Sequence, residues 1–337
     1  MKKILVFGYF GYLTNKLDGQ TVKTRAVYKL MQEREDTQVR YADSQVFRSS
    51  PMSILRFVRD LFWCDTLIWL PAHNNLRMFF RPLMLLSRLA GFSIIYIVIG
   101  GWLSEILKGL SYHRKHLGEI QAILVENQTT VSELQNAYGY TNLAVIPNFR
   151  FASPRVMFNE NKDGELKLVF MARIDENKGL ETIGKLCEHS DLKFSVDFYG
   201  PINPDHADFF NNLLAKHSNL TYKGKLQPEE INDTLIGYDA MLLPTKYYTE
   251  GLPGSIVDAY MAGLPVLVSR WKHASEFVVE RVTGYIGDFN NPEPELASAI
   301  RILTADRELL NKMKHYAAEE AVKYTTDAAK VIINRYL

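Results

Sequence analysis

The sequence predicts an α/β protein built from two doubly wound, parallel-sheet domains. Three observations lead there. The chain has 337 residues, more than the roughly 100–200 of one domain. Short apolar runs alternate with helix-length segments, the βαβ rhythm of a parallel sheet. Several runs are apolar throughout rather than alternating, as strands covered on both faces are. Composition agrees, with 47% apolar and 23% charged residues. That excludes a disordered, collagen-like or coiled-coil main state.

In chain order, strands are expected at 3–7, 66–70, 94–99, 122–125 and 143–146. A second series is expected at 167–171, 193–199, 221–223, 240–243 and 265–269. The opening Met1-Lys2-Lys3-Ile4-Leu5-Val6-Phe7 imitates a signal peptide. No small-x-small cleavage site follows it, so it reads as the first strand. The rhythm pauses at Pro147-Asn148-Phe149 and along the polar stretch Asn159-Glu160-Asn161-Lys162-Asp163-Gly164-Glu165. The domain boundary is placed there, giving domains 1–152 and 153–315, with helices from Glu293 to the end.

Charge changes at the same place. Residues 1–150 hold 18 Lys+Arg against 11 Asp+Glu, net +7; the remainder holds 21 against 27, net −6. A basic first half suits an anionic partner or membrane surface. The longest charge-free apolar stretch, 89–104, is too short to span a bilayer. Two cysteines, Cys64 and Cys187, cannot build a disulfide framework or a four-ligand zinc site, and suit a reducing cytoplasm.

The most informative segment runs Thr249-Glu250-Gly251-Leu252-Pro253-Gly254-Ser255-Ile256-Val257-Asp258, after a strand ending at Leu243-Pro244. A Gly-rich loop leads into a helix near Ser255, which Gly263 ends. Such a helix start presents backbone N–H groups and a positive dipole end to an anion, well suited to phosphate. Glu250 just before it is either a hydroxyl acceptor or a solvated acid. Ser255-x-x-Asp258 also matches a capping box, in which Asp258 only closes the helix start.

A second segment is Met171-Ala172-Arg173-Ile174-Asp175-Glu176-Asn177-Lys178-Gly179. A lysine in a first helical turn opposes the macrodipole and needs solvent or an anion. Arg173 and Lys178 are then either a diphosphate clamp or a solvated basic pair.

With these residues in place, the sequence resembles the retaining, nucleotide-sugar-dependent glycosyltransferases of the GT-B fold, family-four type (glycosyl transferases group 1). Arg173 with Lys178-Gly179 matches the family's Arg-x4-Lys-Gly. Glu250-Gly251-x-Pro253 and Ala259-x-x-Ala262-Gly263-x-Pro265-Val266 match its Glu-x7-Glu region, and Val145-Ile146-Pro147-Asn148 the end of its N-terminal domain. The motifs are in the family's order and the resemblance covers essentially the whole chain.

The resemblance implies two Rossmann-like domains facing a cleft, with the C-terminal helix, about 316–337, packing back on the first. It implies that Arg173 and Lys178 bind the donor diphosphate and Glu250 the sugar hydroxyls. Backbone N–H groups from Gly251 through Leu252 and Gly254 to Ser255 would meet the distal phosphate. Asp258 stands where the family's second Glu binds ribose, and is one methylene shorter. Gly19 loosely matches the glycine at the first helix start, beyond a long first loop (residues 8–19). Where the family has a His after the fourth strand, this chain has Gly100-Gly101-Trp102. His73, after the third strand, is either an alternative cleft residue or a surface His. Gly19, His73, Gly100 and Gly101 are the acceptor-side candidates.

No Asp-x-Asp occurs, so no metal and no cofactor are expected; Arg173, Lys178 and a helix dipole would carry the diphosphate charge. The segments 51–63 and 76–89 set Met52, Leu55, Phe57, Leu61, Phe62, Met78, Phe80 and Leu85 around Arg56, Arg59, Arg77, Arg81 and Arg88. They are either ordinary core-facing helices or basic amphipathic helices on an anionic bilayer. Near-neutral total charge and absent motifs argue against nucleic acid. The expected function is retaining transfer of a sugar from a nucleotide-diphosphate donor to a saccharide or lipid-linked saccharide, in cell-surface polysaccharide biosynthesis. The expected place is cytoplasmic, peripheral at the inner face of the cell membrane. The alternatives are a nucleotide-sugar epimerase of the same fold, or an inactive GT-B scaffold subunit.

Overall fold

The computed structural model describes residues 1–14, 18–157 and 164–337. Most of the polar stretch expected at the boundary, 159–163, lies outside the described residues. The chain forms two compact units: Met1–Phe149 with Thr326–Leu337, and Arg150–Thr325. The divisions thus fall at 149/150 and 325/326, against the expected 152/153 and 315/316.

The first unit holds strands β1 (Lys2–Gly8), β2 (Thr37–Asp43), β3 (Thr66–Leu70), β4 (Ser93–Ile97), β5 (Ala122–Val125) and β6 (Leu143–Val145). They form one parallel sheet in the order β2-β1-β3-β4-β5-β6. The period of two sends Leu5 and Phe7 to one face, with Phe57, Leu61, Leu76 and Phe80 of the helices Pro51–Trp63 and His73–Ala90. It sends Ile4 and Val6 to the other, with Val27 and Leu30 of the helix Gly19–Gln32. Ala329 and Ile333 of the helix Thr326–Ile333 close that second face. The helix before it, Arg307–Ala321, buries Leu310, Met313, Ala317 and Ala321 in the second unit's core instead.

The second unit holds β7 (Leu166–Met171), β8 (Phe194–Tyr199), β9 (Leu220–Gly224), β10 (Ala240–Leu243), β11 (Val266–Ser269) and β12 (Gly284–Gly287). Its parallel order is β12-β11-β10-β7-β8-β9. Residues of β10, β11 and β12 are buried throughout, as expected for strands with helices on both faces.

Both sheets reverse their strand order beside their first strand, at β1/β3 and at β7/β10. In open α/β sheets the crevice at the carboxyl ends of such neighbours is where ligands bind. Two strands were not foreseen, β2 and β12, and each lies at a sheet edge.

Candidate functional site

The two sequence motifs meet at the β7/β10 switch point. Arg173 follows β7, and Asp175 then caps a short 3-10 turn (Glu176–Lys178) by accepting from the Asn177 N–H at 3.0 Å. Gly179 has φ 84°, open to glycine and strained for other residues. An added Cβ there would stand 1.9 Å from the Pro244 carbonyl oxygen, so its backbone packs directly on the end of β10. The Lys246 N–H donates to the Asn177 carbonyl at 2.8 Å, tying the loop after β7 to the loop after β10.

That tie brings Lys178 and Glu250 together. Lys178 Nζ donates to Glu250 Oε1 at 2.5 Å, and each side chain is 17% exposed. Thr245, wholly buried, holds the carboxylate's other side: its Oγ1 lies 3.0 Å from Glu250 Oε2 and 3.2 Å from the Asn177 carbonyl. One hydroxyl proton serves one acceptor at a time. Trp271 Nε1 donates to the Gly251 carbonyl at 3.1 Å, and Ser269 Oγ to the Thr245 carbonyl, which pins the loop from below.

Arg173 is largely exposed, its Nε 3.5 Å from Asp175 Oδ2. Burial works to raise the Asp175 carboxyl, but hydrogen bonds from Asn203 and the Asn177 N–H, with the charges of Arg173 and His206, outweigh it and hold the pKa low. Asp175 therefore stays ionised and restrains the base of the Arg173 loop.

Gly251 and Leu252 are buried, and Leu252 packs its side chain into the unit's core. The helix begins at Gly254 with Pro253 in the cap position and no side-chain cap. This overturns the capping-box reading. Ser255 is already the second helical residue, so Asp258 lies a turn inside the helix, beyond reach of its own start.

Asp258 is instead gripped by Arg150, which sequence reasoning missed. Arg150 Nε donates to Asp258 Oδ1 at 2.5 Å and Nη2 to Oδ2 at 2.8 Å, while Nη2 also reaches the Gly254 carbonyl at 2.8 Å. Burial works against the guanidinium charge, but the Asp258 carboxylate outweighs it and raises the Arg150 pKa. Thr245, Asn177 and Asn203 were also missed. Only Asp175, a capping residue just before Lys178-Gly179, carried a local signal.

In the first unit, Gly19 opens the helix Gly19–Gln32 behind a capping box of Asp18 and Thr21. His73 opens the helix His73–Ala90 and sets its ring edge-on to Trp102, centroids 3.8 Å apart. Desolvation, then the Arg77 charge, hold the His73 imidazole below its ordinary pKa. Gly100 has φ 89°, and a Cβ there would meet the Trp102 ring at 2.9 Å; Gly101 is buried beside it. Gln20, Pro71, Ala72, His73, Ile99 and Trp102 line a cavity of about 300 Å³ at the carboxyl ends of β1, β3 and β4.

Among the described residues no group of three or more His, Cys, Asp or Glu is placed to hold a metal. No helix among them is long and apolar enough to cross a membrane.

Residues 154–320 match the family model of the glycosyl transferases group 1. This segment, about half of the chain, carries Arg173, Lys178, Glu250 and Asp258. The fold is similar to that of Anabaena HepE in complex with UDP, at 13% identity and TM-score 0.73 over 99% of each chain. It is similar also to sucrose-phosphate synthase from Thermosynechococcus elongatus, at 13% identity and TM-score 0.75 over 99% of this chain and 98% of that one. TarM of S. aureus, solved in a complex containing UDP, is 16% identical with TM-score 0.65 over 83% of this chain. This chain spans only 58% of TarM. No curated protein matches the chain by sequence. The expected GT-B fold is the one observed.

Proposed function

We propose that the protein transfers a sugar from a nucleoside-diphosphate donor to a saccharide or lipid-linked saccharide, with retention of anomeric configuration and without a metal. The observation that carries this reading is the Lys178–Glu250 pair at the β7/β10 switch point, inside the segment that matches the glycosyl transferases group 1 model. HepE was solved with UDP-glucose and pneumococcal GtfA with UDP and GlcNAc, which supports a nucleotide-sugar donor here.

Lys178 and Arg173 bind the donor diphosphate and stabilise it as a leaving group. Glu250, its carboxylate steadied by Thr245 and Lys178, accepts hydrogen bonds from donor sugar hydroxyls. Backbone N–H groups at the Gly254 helix start face the distal phosphate. Among the described residues no side chain at this site is placed as a nucleophile, and in this reading the acceptor hydroxyl attacks on the leaving-group face. The departing phosphate oxygen takes its proton, and the protein contributes position and charge. The acceptor binds the first unit, at the cavity lined by Gln20, His73 and Trp102, beside Gly19, Gly100 and Gly101.

The enzyme works at the inner face of the cell membrane, in cell-surface polysaccharide synthesis. Phe57, Leu61, Phe80 and Leu83 serve the core, yet Met52, Leu55, Phe62, Met78, Leu85 and Leu89 of the same two helices are largely exposed. Arg56, Arg59, Arg77, Arg81 and Arg88 are exposed among them. Apolar side chains interleaved with arginines suit an anionic bilayer.

Proton NMR of the product tests the reaction. The proposal expects a new glycosidic bond with the donor's anomeric configuration, formed only when acceptor is added. Inversion, or a free epimerised nucleotide sugar, would contradict it.

A further inference from the structure

We propose that Arg150 is a positioning residue for nucleotide recognition: it holds the Asp258 carboxylate as the acceptor of the donor's ribose hydroxyls. The inference rests on the nucleotide-sugar reading above and adds a residue to it.

Asp258 stands one turn inside the helix Gly254–Met261, which starts directly after the Glu250 loop. A bare carboxylate so close to a docked diphosphate would repel it, and a short side chain alone would not fix its direction. Arg150 answers both. Its two bonds to Asp258 cancel the charge locally and lock both oxygens. Its third bond, to the Gly254 carbonyl, secures the first turn. An ionised carboxylate has about four lone-pair directions, and the guanidinium uses two. The others remain for a vicinal diol.

The chain is shaped to admit this contact. A Cβ on residue 254 would stand 2.9 Å from Arg150 Nη2, so Gly254 leaves the room the guanidinium fills. The Arg150 backbone is itself held, its N–H donating to the Tyr324 carbonyl at 2.8 Å. The side chain thus springs from a fixed point. Lysine keeps the charge but lacks the planar fork, so Arg150→Lys separates geometry from charge.

The test is calorimetry on the full chain with UDP, GDP and ADP, each beside its 2′-deoxy counterpart. Wild type should prefer the ribonucleotide it binds over the deoxy form by roughly tenfold or more, the size of a hydrogen bond to a charged group. Arg150→Lys and Asp258→Asn should each shrink that preference to about twofold, and the double variant should shrink it no further. Melting curves confirm that each variant is folded; Arg150→Gln replaces Arg150→Lys, and Asp258→Ser replaces Asp258→Asn, where one is not. If Arg150→Lys and Arg150→Gln weaken both sugar forms equally and keep the preference, Arg150 only stiffens the helix and the proposal is overturned. Tight diphosphate binding by wild type without ribose preference also overturns it, leaving the donor reading intact. Failure of wild type to bind any nucleotide removes both.

Discussion

The Lys178–Glu250 pair makes a prediction that simple deletion of a cation does not. On the proposed reading, Lys178→Ala removes a charge-assisted hydrogen bond to the diphosphate, worth about 1.5–3 kcal/mol. It also strands Glu250. With Lys178 Nζ 2.5 Å from Glu250 Oε1, a phosphate on the ammonium's other side lies about 5–6 Å from the carboxylate. At an effective dielectric of about 20, two like charges at that distance repel by about 3 kcal/mol, less where solvent reaches the pair. Lys178→Ala should therefore weaken nucleoside-diphosphate binding by about 3–5 kcal/mol. Glu250→Gln alone should leave that affinity unchanged or improve it, while cutting kcat by roughly 10–100-fold through the lost sugar contact. In the Glu250→Gln background, Lys178→Ala should cost only the direct bond. Calorimetry of the four proteins with nucleoside diphosphate reads the cycle directly. Additivity within about 0.5 kcal/mol, or unchanged affinity in Lys178→Ala, would mean that Lys178 does not shield the diphosphate from Glu250.

Other consequences follow from the same geometry. Gly179→Ala forces a strained φ and drives a Cβ into the Pro244 carbonyl; it should destabilise the second unit by about 2–4 kcal/mol in denaturant melts and abolish nucleotide binding, whereas Gly139→Ala, strained but uncrowded, should melt closer to wild type. Lys314 is buried, donates to the Met157 and Tyr238 carbonyls, and desolvation pushes its pKa down to about 8. The unfolded chain therefore binds more protons than the native one between about pH 8 and 10.5, so stability rises with pH there, by about 2–4 kcal/mol from this group; Lys314→Met should remove that rise in pH-resolved unfolding. Vesicles containing anionic lipid should sediment the protein, less so at high salt; Arg56→Gln with Arg77→Gln, or Leu55→Ser with Phe62→Ser, should release it with folding intact, and equal sedimentation with neutral vesicles would count against an electrostatic contribution.

What the sequence reveals follows from burial. The interior strands are covered on both faces, so β3, β5 and β10 are unbroken apolar runs with limits readable to the residue. Two of the four edge strands, β2 and β12, escape that logic, whereas β6 and β9 were expected. β2, Thr-Gln-Val-Arg-Tyr-Ala-Asp, is mostly polar because one of its sides has no neighbouring strand; β12, Gly-Tyr-Ile-Gly, is too short and glycine-bounded to stand out from a turn. Of the candidate site, Arg173, Lys178, Gly179 and Glu250 were legible as candidates because their pattern lies in local spacing. Arg150 was not, because its partner Asp258 is 108 residues away and only the fold brings them together. The capping pattern at Ser255 misled for a local reason: Pro253 takes the cap position, and the helix starts one residue early.

The proposed function requires this site to activate a nucleoside-diphosphate sugar for transfer. The most direct measurement is release of nucleoside diphosphate from a panel of nucleotide sugars, with and without saccharide and lipid-linked acceptors, by wild type and Lys178→Ala. Wild type should consume one donor, faster with one acceptor, and Lys178→Ala should be nearly inactive. Equal release by both proteins, or consumption of no donor with any acceptor, would contradict the proposed function.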